Sequence, residues 1–117
     1  MKKTIYYFSG THWDREWYVP YQEFRMKLVV AVDRLLDVLE QDPQFGVFHF
    51  DGQTIVLEDY LEIRPENRER LAAQIQSGRV VIGPWYCQPD EFLVSGESLV
   101  RNFLIGADIC HRFGVEP

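Results

Sequence analysis

Apolar positions along the chain follow two patterns: short continuous runs, and longer stretches with a stripe recurring every three to four residues. Thr4-Ile5-Tyr6-Tyr7-Phe8 is a near-continuous β-branched and aromatic run ending at Ser9-Gly10; it predicts a strand buried on both faces. Between Glu23 and Gln41, Phe24, Leu28, Val32, Leu35 and Leu39 share one stripe, with Arg25, Asp33 and Asp37 off it. That spacing predicts an amphipathic helix, closed by Asp42-Pro43. Val47-Phe48-His49-Phe50 reads as a second strand, closed by Asp51-Gly52. A helical stretch from Thr54 to Ile63 stops before Pro65. Another begins at that proline, buries Leu71, Ala72 and Ile75, and has Gly78 as its C′ residue. Val80-Val81-Ile82 is a third strand and leaves into Gly83-Pro84-Trp85. Ser95 is placed to cap a last helix with Glu97 in its first turn; Val100, Phe103, Ala107 and Cys110 point to a core, and the helix ends near Gly114.

Strand and helix alternate in three consecutive β-α units, which predicts an α/β fold, a single domain over 1–117, with parallel strands and right-handed crossovers. No repeat, low-complexity segment or linker interrupts it. A closed barrel of such units takes roughly 200–250 residues, so this length holds about half of one. In parallel sheets, ligands gather at the C-terminal strand ends. Three polar and aromatic clusters fall there: His12 through Trp17, Asp51-Gly52-Gln53, and Trp85 through Glu91.

Charge narrows the partners. Twelve Lys and Arg against 18 Asp and Glu give a formal net charge of −6, with no basic stripe to engage a nucleic-acid backbone or an anionic membrane surface. No stretch approaches the ~20 apolar residues that span a bilayer. Met1-Lys2-Lys3 resembles the start of a signal peptide, but the apolar run behind it is too short and His12, Asp14, Arg15 and Glu16 follow at once. A cytoplasmic protein is expected. Cys87 and Cys110 lack CxxC spacing and read as small buried hydrophobes, neither a disulfide nor a thiolate zinc site.

In extended backbone His12 and Asp14 point the same way, so an imidazole nitrogen and a carboxylate oxygen could share one divalent cation, as zinc accepts both. On spacing alone the competing reading is that Asp14 caps a helix while His12 makes a local hydrogen bond. Asp51-Gly52 is equally a turn, with Asp accepting local backbone hydrogen bonds, or a carboxylate at the sheet's active edge. His49 fits a satisfied core histidine, and His111 a favourable charge at a helix C-terminus. Trp85 through Glu91 joins a flat aromatic to Asp90 and Glu91, the combination that sugar-processing sites use; the alternative is an aromatic-anchored surface loop with solvated acids.

Taken together, these residues resemble glycoside hydrolase family 38, the α-mannosidases. The matching strings are His12-Trp13-Asp14-Arg15-Glu16-Trp17-Tyr18, Phe50-Asp51-Gly52-Gln53, Gly83-Pro84-Trp85-Tyr86, Pro89-Asp90-Glu91, and Ser95-Gly96-Glu97-Ser98-Leu99-Val100-Arg101-Asn102, in order from about Tyr6 to Gly106. The resemblance implies the first three β-α units of a partly irregular seven-stranded β/α barrel, with a zinc ion at its mouth that binds sugar hydroxyls. It makes His12 and Asp14 zinc ligands, places Trp17 against the sugar, and puts Asp51 and Asp90 in the substrate pocket.

The departure is as informative. The family's nucleophilic aspartate, also a zinc ligand, lies in an Asp-x-Phe-Gly-His segment, and neither that segment, the later histidine ligand nor the acid/base carboxylate occurs here. The nucleophile and the acid/base are therefore expected to lie beyond Pro117, and no residue of 1–117 is expected to be catalytic. The expectation is the N-terminal piece of a longer, retaining zinc-dependent α-mannosidase, inactive alone. Its open strand edges predict a homo-oligomer. Two other readings stand beside it: another metal-dependent carbohydrate hydrolase or deacetylase, whose Asp-Asp pair and His-x-x-x-His segment are absent, and a non-catalytic binding module.

Overall fold

The computed structural model describes residues 2–117; Met1, the first residue of the basic start, lies outside them. Three parallel strands, β1 (Ser9–Gly10), β2 (Phe48–His49) and β3 (Val80–Val81), form a sheet in the order β1-β2-β3. Ser9 pairs with Phe48 and Phe48 with Val80. Helix α1 (Tyr21–Gln41) crosses from β1 to β2. Helix α2 (Ile55–Leu61), a 3₁₀ turn (Pro65–Asn67) and α3 (Arg68–Gln76) cross from β2 to β3, and α4 (Gly96–Arg112) follows. This is the α/β alternation read from the sequence.

One stripe of α1 makes the core, because residues at helical spacing share a face. Leu28, Val32, Leu35 and Leu39 are buried, together with Val29 and Leu36. They meet Val56, Leu57 and Tyr60 of α2, Leu71 and Ile75 of α3, and Val80 and Ile82. Tyr60 is fully buried, and its hydroxyl donates to Asp33 at 2.6 Å. Burial, reinforced by the Asp33 hydrogen bond, pushes the Tyr60 phenol up to about 12. Helix α1 has no basic residue in its last turn. Arg79 supplies the cation from beyond α3, donating to the carbonyls of Leu39, Asp42 and Phe45 and so satisfying oxygens that a helix end leaves orphaned.

Three expectations are corrected. The run Thr4–Phe8 is not a buried strand: pairing begins only at Ser9, and Ile5, Tyr6, Tyr7 and Phe8 are 71–90% exposed. Its neighbour β2 starts at Phe48, after the chain has turned at Asp42 (Phe45 N–H to Asp42 O, 3.2 Å), so residues before Ser9 run past the end of the partner strand. Arg25 is buried, not off the apolar stripe, because its guanidinium donates to Asp59 O at 3.0 Å and to Glu62. In α4, Val100 and Phe103 stay outside the core, 54% and 40% exposed, while Cys110 is buried as expected, with Ile109 beside it and Phe113 just beyond the helix. Phe103 and Asn102 pack instead on the segment after β3, against Trp85, Tyr86 and Cys87. Ser95 does cap this helix, accepting from Ser98 N–H at 3.1 Å.

No described helix is long and apolar enough to cross a membrane. Cys110 is buried, Cys87 is half-buried, and both are free thiols.

Candidate functional site

The C-terminal ends of the three strands carry the three clusters into one place. After β1 the chain continues its pairing for one residue, with Thr11 N–H donating to His49 O at 3.1 Å, and then forms a loop held at successive residues. The Trp13 carbonyl accepts from Gln53 Nε2 at 3.0 Å, and the Trp13 ring meets Phe24 edge-on, with centroids 6.1 Å apart. Arg15 grips Asp59 of α2 with both Nε (2.7 Å) and Nη2 (2.9 Å). Tyr21 O–H donates to the same carboxylate at 2.8 Å, and the Arg15 guanidinium lies 4.8 Å from the Tyr21 ring centroid. The Asp59 hydrogen bond holds the Arg15 pKa above its ordinary value.

Between these anchors His12 and Asp14 face one another, His12 Nε2 lying 3.5 Å from Asp14 Oδ1. The other imidazole nitrogen, Nδ1, is 2.5 Å from Asp51 Oδ2; since a carboxylate oxygen accepts, Nδ1–H donates. The Asp51 hydrogen bond is the largest influence and raises the His12 pKa above its usual value; burial opposes it, and the Asp14 and Asp51 charges add to the rise. Asp51 takes its position from the turn that ends β2. Its φ is 53° and that of Gly52 is 74°, left-handed values that Asp tolerates and Gly adopts freely. His49 Nδ1 accepts from Asp51 N–H at 2.9 Å, so His49 is hydrogen-bonded as expected, but it is half-buried and not in the core.

The third cluster closes the other side. Trp85 N–H donates to Gly52 O at 2.9 Å, and Trp85 O accepts from both the backbone and the hydroxyl of Thr54. The Trp85 ring stacks on Phe103 of α4 at 3.9 Å and 26°, which makes it an anchor for the loop. Asn102 fixes the following residues: its Oδ1 accepts from the Tyr86 and Cys87 amides at 2.7 and 3.0 Å, and its Nδ2 donates to Cys87 O. Gln88 Nε2 donates back to Asp51 O at 3.0 Å.

An open cleft of about 530 Å³ results, with His12, Asp14, Gln53, Gln88 and Asp90 among its lining residues. Asp90 is exposed, its Oδ1 accepting from Phe92 N–H at 3.3 Å. Asp51 reaches the cleft through His12. Trp17 stands outside the lining, 65% exposed and edge-on to Tyr18 at 5.6 Å. Pro117, the residue beyond which the nucleophile and the acid/base are expected, is itself no part of the cleft. It is exposed, its Cα 3.8 Å from where a Cβ on Gly83 would stand. Among the described residues no three His, Cys, Asp or Glu side chains converge as a metal cage. The His12–Asp14 pair nevertheless has the donors zinc prefers. Two ligands on a tetrahedral ion with bonds of about 2.0–2.2 Å lie roughly 3.4 Å apart, close to the separation seen. The pair fits half of a tetrahedral site.

Residues 2–117 match the model of the glycosyl hydrolases family 38 N-terminal domain. The chain belongs to glycosyl hydrolase family 38. Among its relatives, a Halalkalibacterium halodurans protein named "Putative mannosylglycerate hydrolase" is 52% identical over 114 residues, covering 97% of this chain and 13% of that protein. The crystal structure of an alpha-mannosidase from Enterococcus faecalis superposes with a TM-score of 0.89 at 50% identity, over 93% of this chain and 12% of that one. A second family 38 structure from the same organism gives a TM-score of 0.85 at 47% identity, over 93% of this chain and 13% of its own. The chain thus spans about an eighth of the length of these relatives, and its three-stranded parallel α/β unit matches the family fold.

Arg15, Gln53 and Gln88 fall within the three clusters that the sequence places at the strand ends, though without a role of their own, whereas Asp59 lies outside them. The one available signal was Asp59, an acid between Val56-Leu57 and Tyr60 on the buried face of a short helix. Such an acid needs a cationic partner.

Proposed function

We propose that this chain forms the metal- and sugar-binding part of a retaining, zinc-dependent glycosidase that acts on α-mannosides. The observation that carries the reading is the His12–Asp14 pair, 3.5 Å apart at the mouth of a cleft that Asp90 also lines. His12 Nε2 and Asp14 Oδ1 would hold the zinc, which when bound supplies a Lewis acid for sugar hydroxyls. Asp90 accepts a further hydroxyl, Asp51 offers its other carboxylate oxygen, and Trp17 gives an exposed indole face to the pyranose. Retention needs a nucleophile and an acid/base carboxylate about 5–5.5 Å apart; those roles, and the remaining zinc ligands, are assigned to chain beyond Pro117. The three β-α units are accordingly the opening part of a seven-stranded barrel, in a cytoplasmic enzyme whose partners are carbohydrates, not nucleic acid or membrane. The relative named for mannosylglycerate favours an α-mannoside with an acidic aglycone within the same class.

Zinc titration of the 117-residue chain tests the assignment. Calorimetry is expected to show one weak site, with a dissociation constant in the micromolar range or above because half the ligands are absent, and His12→Ala is expected to abolish it. Identical zinc binding by wild type and His12→Ala would remove the basis of the reading. The chain alone is expected not to hydrolyse p-nitrophenyl α-mannoside.

Strand edges and apolar surface favour self-association. A groove of about 660 Å³ runs along α1, lined by Met26, Val30, Leu35, Val38, Phe45 and Phe48, and Ile5 through Phe8 stand exposed beside unpaired strand groups. Such edges pair with other chains. Sedimentation at micromolar concentration is expected to give a dimer or larger species; a monomer throughout would count against it.

A further inference from the structure

Asp51 is the only non-glycine residue among the described residues with a positive φ, a conformation most L residues avoid. Its surroundings hold it there. Its amide donates to His49 Nδ1 and its carbonyl accepts from Gln88 Nε2. Next to it, Gly52 is pressed against the third-strand loop so closely that an added Cβ would lie 3.2 Å from Trp85 Cδ1. A turn fixed from three sides delivers one carboxylate oxygen to His12 Nδ1 at 2.5 Å. A ring nitrogen that donates a proton cannot ligate a cation, so in neutral imidazole the lone pair is then on Nε2, the atom that faces Asp14.

We propose that Asp51 is a positioning residue, whose hydrogen bond holds His12 in the Nδ1–H tautomer and aims Nε2 beside Asp14 as a ligand for a divalent cation. The proposal rests on the reading of His12 and Asp14 as metal ligands. The carboxylate–imidazole–metal arrangement it describes is the usual way proteins orient a ligating histidine, and loss of the outer carboxylate typically weakens metal binding 10–100-fold. Three parts of the chain meet in it, the β1 loop, the β2 turn and Gln88 after β3, and no local motif joins them.

Two measurements test it. In the metal-free chain above the His12 titration, imidazole ¹⁵N–¹H correlation spectra should show Nδ1–H for His12, and Asp51→Gly, which accepts the positive φ, should populate both tautomers. In zinc titrations Asp51→Gly should weaken binding about tenfold or more, with Asp51→Asn between it and wild type because its amide oxygen still accepts. An Nε2–H tautomer in the wild type overturns the proposal. So does wild-type zinc affinity in Asp51→Gly when His12→Ala has lost binding, and that outcome leaves the metal reading intact. Zinc affinity untouched by His12→Ala overturns the metal reading and the proposal with it.

Discussion

Asp59→Ala is expected to cost the chain about 3 kcal/mol of stability, the low end of what removing one partner of a buried ion pair costs. The low end applies because the Arg15 side chain is 40% exposed and can recover some water, whereas that of Asp59 is only 6% exposed. The carboxylate meets three donors, Arg15 Nε, Arg15 Nη2 and Tyr21 O–H, and alanine leaves all three short of an acceptor in a partly dry setting. With a urea m-value of about 1–3 kcal/mol/M, the midpoint should fall by about 1–3 M. The Arg15→Ala, Asp59→Ala double variant should be little worse than Asp59→Ala alone, since the two residues act as one unit. Zinc binding should weaken in both variants, because Arg15 anchors the loop that carries His12 and Asp14. An unchanged urea midpoint in Asp59→Ala would show that the contact contributes nothing.

Gly106→Ala is expected to be the second large loss. Alanine normally improves a helix interior by about 1 kcal/mol over glycine. Here α4 packs so tightly on the chain leaving β3 that a Cβ at 106 would lie 2.1 Å from Pro84 O, 2.6 Å from Trp85 C and 2.8 Å from Tyr86 N. These are backbone atoms, which cannot rotate aside as a side chain could. Overpacking costs typically 1–3 kcal/mol, occasionally more; contacts this short put the cost at about 3 kcal/mol or above, and less the propensity gain of about 1 kcal/mol the net destabilisation should be about 2 kcal/mol, read as a lower urea midpoint. The displaced segment is the one that Asn102 holds by its Tyr86 and Cys87 amides, so those two amide resonances should shift most. A variant as stable as wild type, or more so, would mean that helix propensity outweighs the close approach.

What could be read in advance divides along a physical line. Helix α1 was legible because its stripe repeats over five turns; the observed start at Tyr21 precedes the expected Glu23 by two residues. Gly78, with φ 75°, and the Ser95 cap were legible because each is a local backbone requirement. Local pattern failed where a distant partner decides the outcome. Thr4–Phe8 has the composition of a strand, but β pairing needs a neighbour alongside, and none of the described residues supplies one. Arg25 breaks the apolar stripe by residue type and yet is buried, because Glu62 and the Asp59 carbonyl lie across the helix pair. The same holds for the site. The nearness of His12 and Asp14 is local, two residues apart in one loop. The contacts of His12 with Asp51, 39 residues on, and of Arg15 with Asp59, 44 residues on, come from the crossover that lays β2 beside β1.

The β1 loop is tied at three of its residues to a single stretch of chain, His12 to Asp51, Trp13 to Gln53 and Arg15 to Asp59. A loop secured in this way cannot fray by itself, since opening it means letting go of the second strand's turn and its helix together. The Thr11 amide at its root, which donates to His49 O, should therefore exchange with deuterated solvent at the pace of the surrounding cooperative unit, not at the pace of a surface excursion.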